Sequence, residues 1–208
     1  MAIKLYRAPY STNVERVALA LAHKGLEVES VVIDYSDRSL VECVSGQGLV
    51  PVIDDDGHLV ADSTRILRHL EERHPDPPLF PRDQARRAEL DVFLEWFDEI
   101  WKGPPNEIAT ELATGTAPDS DRIAALAGQM AGWLDVFERM LTGRDHLLGD
   151  AFSAADCAAF PFLKYALVRD PADDELFHRV LDDHQQLGDD HPRLAEWIAR
   201  VNERPRAH

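Results

Sequence analysis

Four prolines fall within eight residues at His74-Pro75-Asp76-Pro77-Pro78-Leu79-Phe80-Pro81, and this stretch constrains the fold more than any other part of the chain. Proline removes a backbone donor and clashes with the turn before it, so neither a helix nor a central strand continues through such a segment. It reads as a stiff connection between two folding units. The hydrophobic pattern changes across it in agreement. Short strand-like and helix-like segments alternate before the prolines, and helical periodicity alone follows them.

In the first part, Ile3 to Tyr6 reads as a short strand. From Thr12 onward, Val14, Val17, Ala18, Leu21 and Ala22 lie on one helical stripe, which Lys24-Gly25 ends. Glu27 to Ile33 alternates and is rich in β-branched residues, the signature of a second strand. A short helix follows over Ser39 to Val44. Val52-Ile53 and His58 to Ala61 flank Asp56-Gly57, a strong hairpin signal. Asp62 or Ser63 then caps a helix with the stripe Ile66, Leu67, Leu70. The predicted order is strand, helix, strand, helix, strand, strand, helix.

Beyond the prolines, Leu90, Phe93, Leu94, Phe97 and Trp101 recur at helical spacing, and Gly103-Pro104-Pro105 breaks that helix. Ile123, Leu126, Met130, Leu134, Phe137 and Leu141 mark another. Ser153-x-x-Asp156 has the form of a capping box, with Phe152 and Cys157 placed as its hydrophobic staple, and both assignments are to folding alone. Asp182-Asp183-His184 and Asp189-Asp190-His191 read as solvated loop. The expected organisation is an α/β domain over residues 1–76, a linker over 77–82 and an all-α domain over 83–208.

A net charge of −16 repels phosphate backbones and argues against nucleic-acid binding. The two cysteines, Cys43 and Cys157, form no C-x-x-C pair and fit a reducing compartment. The first residues lack the apolar core of a signal peptide, and no run approaches the ~18 apolar residues of a spanning helix. The expectation is a soluble cytoplasmic protein without a membrane partner. The nine histidines show no metal-ligand spacing, so no metal is expected.

Several segments, in their order, carry a family resemblance. Tyr6-Arg-Ala-Pro-Tyr-Ser-Thr-Asn-Val-Glu-Arg-Val17 leads from a strand through a turn into a helix. Gly48-Leu-Val-Pro-Val-Ile53 and Asp62-Ser63 follow. Phe152-Ser-Ala-Ala-Asp156 opens an apolar helix containing Pro161, and His191-Pro-Arg-Leu-Ala-Glu-Trp197 opens a last helix ending at Arg204-Pro205. Together they resemble the cytosolic glutathione transferases of the serine/cysteine type over nearly the whole chain.

That resemblance implies a thioredoxin-like N-terminal domain, an all-α C-terminal domain that shapes a second pocket, and a homodimer. It implies glutathione as co-substrate, no other cofactor, and transfer of its sulfur to a small hydrophobic electrophile. Ser11 would contact the sulfur, Tyr6 being the second choice. Val50, ahead of a cis Pro51, would pair its backbone with the cysteinyl part of glutathione. Asp62 and Ser63 would hold the γ-glutamyl end. The chain departs from the pattern at Leu49, where many members carry Lys or Gln that reaches a carboxylate of the ligand. The alternatives are a binding protein of the same fold without catalysis, or another low-molecular-weight thiol in the same cradle. A thiol–disulfide reductase would need cysteine where Ser11 stands.

Overall fold

The computed structural model of the chain describes residues 2–115 and 117–208. Two compact units are present, one formed by the residues up to Arg87 together with Arg204–His208, the other by Ala88–Glu203.

In the first unit the order is β1 (Ile3–Arg7), α1 (Thr12–His23), β2 (Val28–Val32), α2 (Ser39–Ser45), β3 (Val52–Asp55), β4 (His58–Ala61) and α3 (Ser63–Arg73). Among the described residues the strands form one mixed sheet in the order β2-β1-β3-β4. β1 and β2 run parallel, and α1 supplies the crossover that a parallel pair requires. β3 returns antiparallel to β1 and pairs antiparallel with β4. Asp56 and Gly57 both have positive φ, 53° and 85°, the backbone that the tight β3–β4 turn demands. One side of the sheet packs Tyr6, Ile33, Val41 and Val52 beside α2. On α1, Val17, Ala18, Ala20 and Leu21 have no exposed surface.

The proline-rich segment folds back onto this unit. Leu79 and Phe80 are buried, and the Arg68 and Arg87 guanidinium groups lie over the Phe80 ring at 5.7 and 5.3 Å. Residues 77–82, expected as a linker, therefore lie within the first compact unit, as do 83–87 and the chain's last five residues.

Asp55, at the end of β3, ties the hairpin to α3. Its side chain is 5% exposed and receives His69 Nε2 at 2.8 Å and His74 Nε2 at 3.4 Å, with Arg73 Nε 3.5 Å away. Burial alone would raise this carboxyl. The hydrogen bond from His69, the charge and hydrogen bond of His74 and the charge of Arg73 outweigh it and hold the group below its ordinary value. A group depressed on folding stabilises fully above its unfolded value of about 3.8, and that contribution is lost as pH falls through the lower folded value. Asp55→Asn is therefore expected to be about 1–3 kcal/mol less stable than wild type near neutral pH. In urea titrations the difference should shrink as pH falls below about 3.8; a difference independent of pH would contradict this role.

The second unit is helical. α4 (Gln84–Trp96) enters it and continues as a π-helical turn, Phe97–Trp101, in which Lys102 N donates to Phe97 O. α5 (Gly103–Ala113) follows, with Pro104 and Pro105 in its first turn, where a missing N–H costs little. Then come α6 (Ser120–Met140), α7 (Ala154–Leu163), a 3₁₀ turn (Lys164–Ala166), α8 (Leu176–His184) and α9 (Pro192–Asn202). Phe97 stacks on Trp101 with centroids 4.5 Å apart, and Phe137 and Phe162 meet both rings edge-on. Asp182-Asp183-His184, expected as loop, is the last turn of α8. Val180 and Leu181 bury that helix's inner face, and Asp182 accepts from Arg169 Nη1 on the outer one. The capping box at Ser153 and Asp156 is formed, with Phe152 and Cys157 buried on either side of it.

Candidate functional site

The strand register brings the predicted site residues to one edge of the first unit. Tyr6 pairs with Val52, and Val52 pairs with Ala61. The residues just beyond these pairs therefore emerge together. They are the turn 8–11 leaving β1, the Val50-Pro51 step entering β3, and Asp62-Ser63 leaving β4.

At the first of these, Tyr10 holds a left-handed backbone with φ 60°, unusual for a large side chain. The chain then turns into α1 with Ser11 as N-cap. Ser11 Oγ accepts from Val14 N at 3.3 Å. A hydroxyl has one hydrogen as well as its lone pairs, so capping uses the acceptor side of Ser11 and leaves the hydrogen to donate. Ser11 is half-buried, at the positive end of a twelve-residue helix. Tyr6 is placed differently, 8% exposed and packed among Ile33, Val41 and Val52, which assigns it to the core.

The Val50–Pro51 peptide bond is cis. Next to it the α2–β3 loop is organised by its own side chains. Gln47 Oε1 accepts from Leu49 N at 2.5 Å, while Gln47 Nε2 donates to Leu49 O and Ser45 Oγ. Gln47 is thus turned onto its own loop. Leu49 is 67% exposed. Arg38 reaches this loop from the start of α2, donating to Gly48 O at 2.9 Å. A side chain at Gly48 would meet Glu42 Oε1 at 2.9 Å, so the loop packs closely on α2.

At the third element Asp62 is the N-cap of α3. It has φ 78°, and its Oδ1 accepts from Arg65 N at 2.9 Å. Ser63 is the first residue inside the helix and is 4% exposed. Its hydroxyl accepts from Arg16 Nη1 at 3.2 Å and donates to Asn13 Oδ1 at 3.4 Å. Of the two capping candidates read from the sequence, Asp62 fills the position and Ser63 turns inward. What α3 offers at the edge is the exposed Asp62 carboxylate and the first-turn N–H groups, which have no acceptor within a helix.

Arg16 joins the two helix starts. It has no exposed surface and donates to both Ser63 and Thr64, 3.4 Å from the latter's Oγ1. Its partners on α3 lie 47 and 48 residues away, and no local pattern in the sequence announces them. Among the described residues no group of three or more His, Cys, Asp or Glu is arranged to hold a metal ion.

Residues 5–78 match the glutathione S-transferase N-terminal domain, and residues 120–200 match the glutathione S-transferase C-terminal domain. The chain is 30% identical to glutathione S-transferase 3 of Zea mays over 164 residues, 74% of this chain and 73% of that protein. It is 29% identical to FtsZ-localized protein A of Caulobacter vibrioides over 166 residues, with the same coverage. The crystal structure of the beta-etherase LigF from Sphingobium superposes with a TM-score of 0.80 at 22% identity. It covers 99% of this chain and 96% of that one, a likeness of fold.

Proposed function

This chain belongs to the glutathione S-transferase family, and from that premise we propose that it binds glutathione at the shared edge of β1, β3 and β4 and activates the thiol for attack on a small hydrophobic electrophile. The observation that carries this reading is the state of Ser11. Its lone pair is held by the Val14 N–H, its hydrogen is left to donate, and it stands at the start of α1. A donor and a helix N-terminus both favour a thiolate over a thiol. A free thiol titrates near ~8.5, and lowering it by about two units takes about 2.7 kcal/mol of differential stabilisation. In the reaction the thiol proton goes to solvent. The sulfur electron pair then forms the new bond to the electrophile's carbon as the leaving group departs or the π bond is displaced. Ser11 stabilises the nucleophile and is not itself one.

The remaining residues align the tripeptide. The Val50 backbone, presented by the cis step at Pro51, pairs with the cysteinyl part. Asp62 faces the ammonium of the γ-glutamyl end, and the first-turn N–H groups at Ser63 and Thr64 receive its carboxylate. Arg16 holds Ser63 in place. We read the working protein as a cytoplasmic homodimer. Ser11→Ala should lower kcat/KM with a generic aryl halide by about 10–100-fold while the fold is kept; an unchanged kcat/KM would remove Ser11 from the chemistry.

A second reading is favoured by Leu49, an exposed apolar side chain beside Val50, and by the likeness to a protein named for its localisation with FtsZ. In it the fold serves ligand or partner binding without catalysis, or cradles another low-molecular-weight thiol. Calorimetric binding of glutathione with no turnover across a panel of electrophiles would select the binding role. Failure to bind glutathione would direct the search to other thiols or to a partner.

A further inference from the structure

After α9 the chain returns to the first unit and lies along α1. Ala207 N donates to Ala18 O at 3.0 Å, and the Arg206 guanidinium meets Glu15 Oε1 at 2.9 and 3.1 Å. At the far end of α1, Arg204 Nη2 lies 3.0 Å from His23 Nδ1, and His23 Nε2 lies 3.3 Å from Pro78 O. These contacts select one state of the ring. A guanidinium only donates and a carbonyl only accepts. Nδ1 must therefore carry the lone pair and Nε2 the hydrogen.

We propose that His23 is an acid-sensitive latch, which holds the Arg204–His208 segment on α1 while the imidazole is neutral and lets it go when the imidazole is protonated. A proton on Nδ1 removes the lone pair that faces Arg204 Nη2 and sets an N–H against a guanidinium. The Pro78 bond survives, so the loss falls on the tail. The charges around the ring come from every side of the seat. Arg204 from the tail and Lys24 from α1 oppose a proton. Glu71 from α3 favours it, but that carboxylate already receives Lys24 Nζ and Leu79 N. Burial, then Arg204 and Lys24, lower the His23 imidazole below its ordinary value of about 6.5 against the pull of the Pro78 carbonyl and Glu71. At the other end of the seat the His208 imidazole is lowered too, by burial and by Arg7 and Arg206, against Glu15. A group depressed in the docked state supports docking above its released value and loses that support as pH falls through the docked value. Release thus belongs to the acid side of about 6.5.

Arg206 pairs with Glu15 in the first turn of α1, one turn beyond Ser11. Release withdraws a guanidinium from that turn and makes it a poorer neighbour for a thiolate. This consequence rests on the proposed thiol chemistry; the latch itself does not.

Hydrogen exchange of the Ala207 amide in the full chain tests the latch, with the Leu5 amide of β1 as a control. Between about pH 7.5 and 5.0, protection of Ala207, corrected for intrinsic exchange, should fall about tenfold while that of Leu5 holds. His23→Gln offers an acceptor to Arg204 and a donor to Pro78 without titrating, so it should keep Ala207 protected at the lower pH. Arg204→Ala should lose that protection at both. The latch is refuted by constant protection in wild type, by a parallel loss at Leu5, by a His23→Gln variant that responds like wild type, or by an Arg204→Ala variant that stays protected.

Discussion

Glu71→Ala is expected to destabilise the protein by about 3–5 kcal/mol, the cost of leaving a buried charge without its partner. The Lys24 side chain is fully buried, and its ammonium donates to Glu71 Oε2 at 2.9 Å and to the carbonyls of His74 and Pro77. The same Glu71 oxygen accepts from Leu79 N at 2.9 Å. One carboxylate thus closes the end of α1, the end of α3 and the proline-rich segment into one junction. Its removal leaves a buried ammonium without a counter-charge, held by the two carbonyls alone, and takes the acceptor from the Leu79 N–H. For a chain of this size the loss corresponds to roughly 10 °C or more in Tm. Lys24→Met with Glu71→Leu should recover much of it, since exchanging both partners for apolar groups is far less costly than removing one. Calorimetric or denaturant unfolding of the single and double variants reads both. A double variant no more stable than Glu71→Ala would show that the junction depends on something other than the pair.

The second large effect is expected at Asp156, which has no exposed surface and serves four donors. Oδ1 accepts from Trp197 Nε1 at 2.8 Å and Leu147 N at 3.1 Å, and Oδ2 accepts from Ser153 N at 2.9 Å and Ser153 Oγ at 3.1 Å. The carboxylate caps α7 and anchors the indole of α9 at once. Asp156→Ala leaves several buried donors unmade, each worth about 1–3 kcal/mol, so a loss of at least about 3 kcal/mol is expected. Trp197 fluorescence should then report an altered indole environment before global unfolding. Asp156→Asn keeps one acceptor and should fall between the two. An alanine variant within about 1 kcal/mol of wild type would reduce Asp156 to a simple helix cap.

How much of this was legible in the sequence follows from how local each signal is. The Asp56-Gly57 turn, the helix starts at Ser11 and Asp62, and the box at Ser153 and Asp156 depend on residues within a few positions of one another, and the structure contains each of them. The convergence of Ser11, Val50 and Asp62 came from the resemblance; periodicity alone leaves the register between β1 and β3 open. Arg16 on Ser63, Lys24 on Glu71 and Trp197 on Asp156 join residues 41 to 47 positions apart. A single chain carries no pattern for such pairs. The same holds for the last five residues, whose seat on α1 depends on His23, 181 positions before Arg204. The π-helical turn at Phe97–Trp101 was hidden for a different reason. Its aromatic spacing is equally that of an α-helix, and the hydrogen bond from Lys102 N to Phe97 O that widens the turn leaves no mark in the residue pattern.

In the mechanism proposed above, Val50, Asp62 and Ser63 align glutathione, and the chemistry depends on what Ser11 does to its sulfur. The thiol of bound glutathione can be titrated by the ultraviolet absorbance of its thiolate, in wild type and in Ser11→Ala. The account expects a pKa about two units below the ordinary ~8.5 in wild type, returning towards that value in the variant. A bound thiol that titrates at its ordinary value in wild type would contradict it.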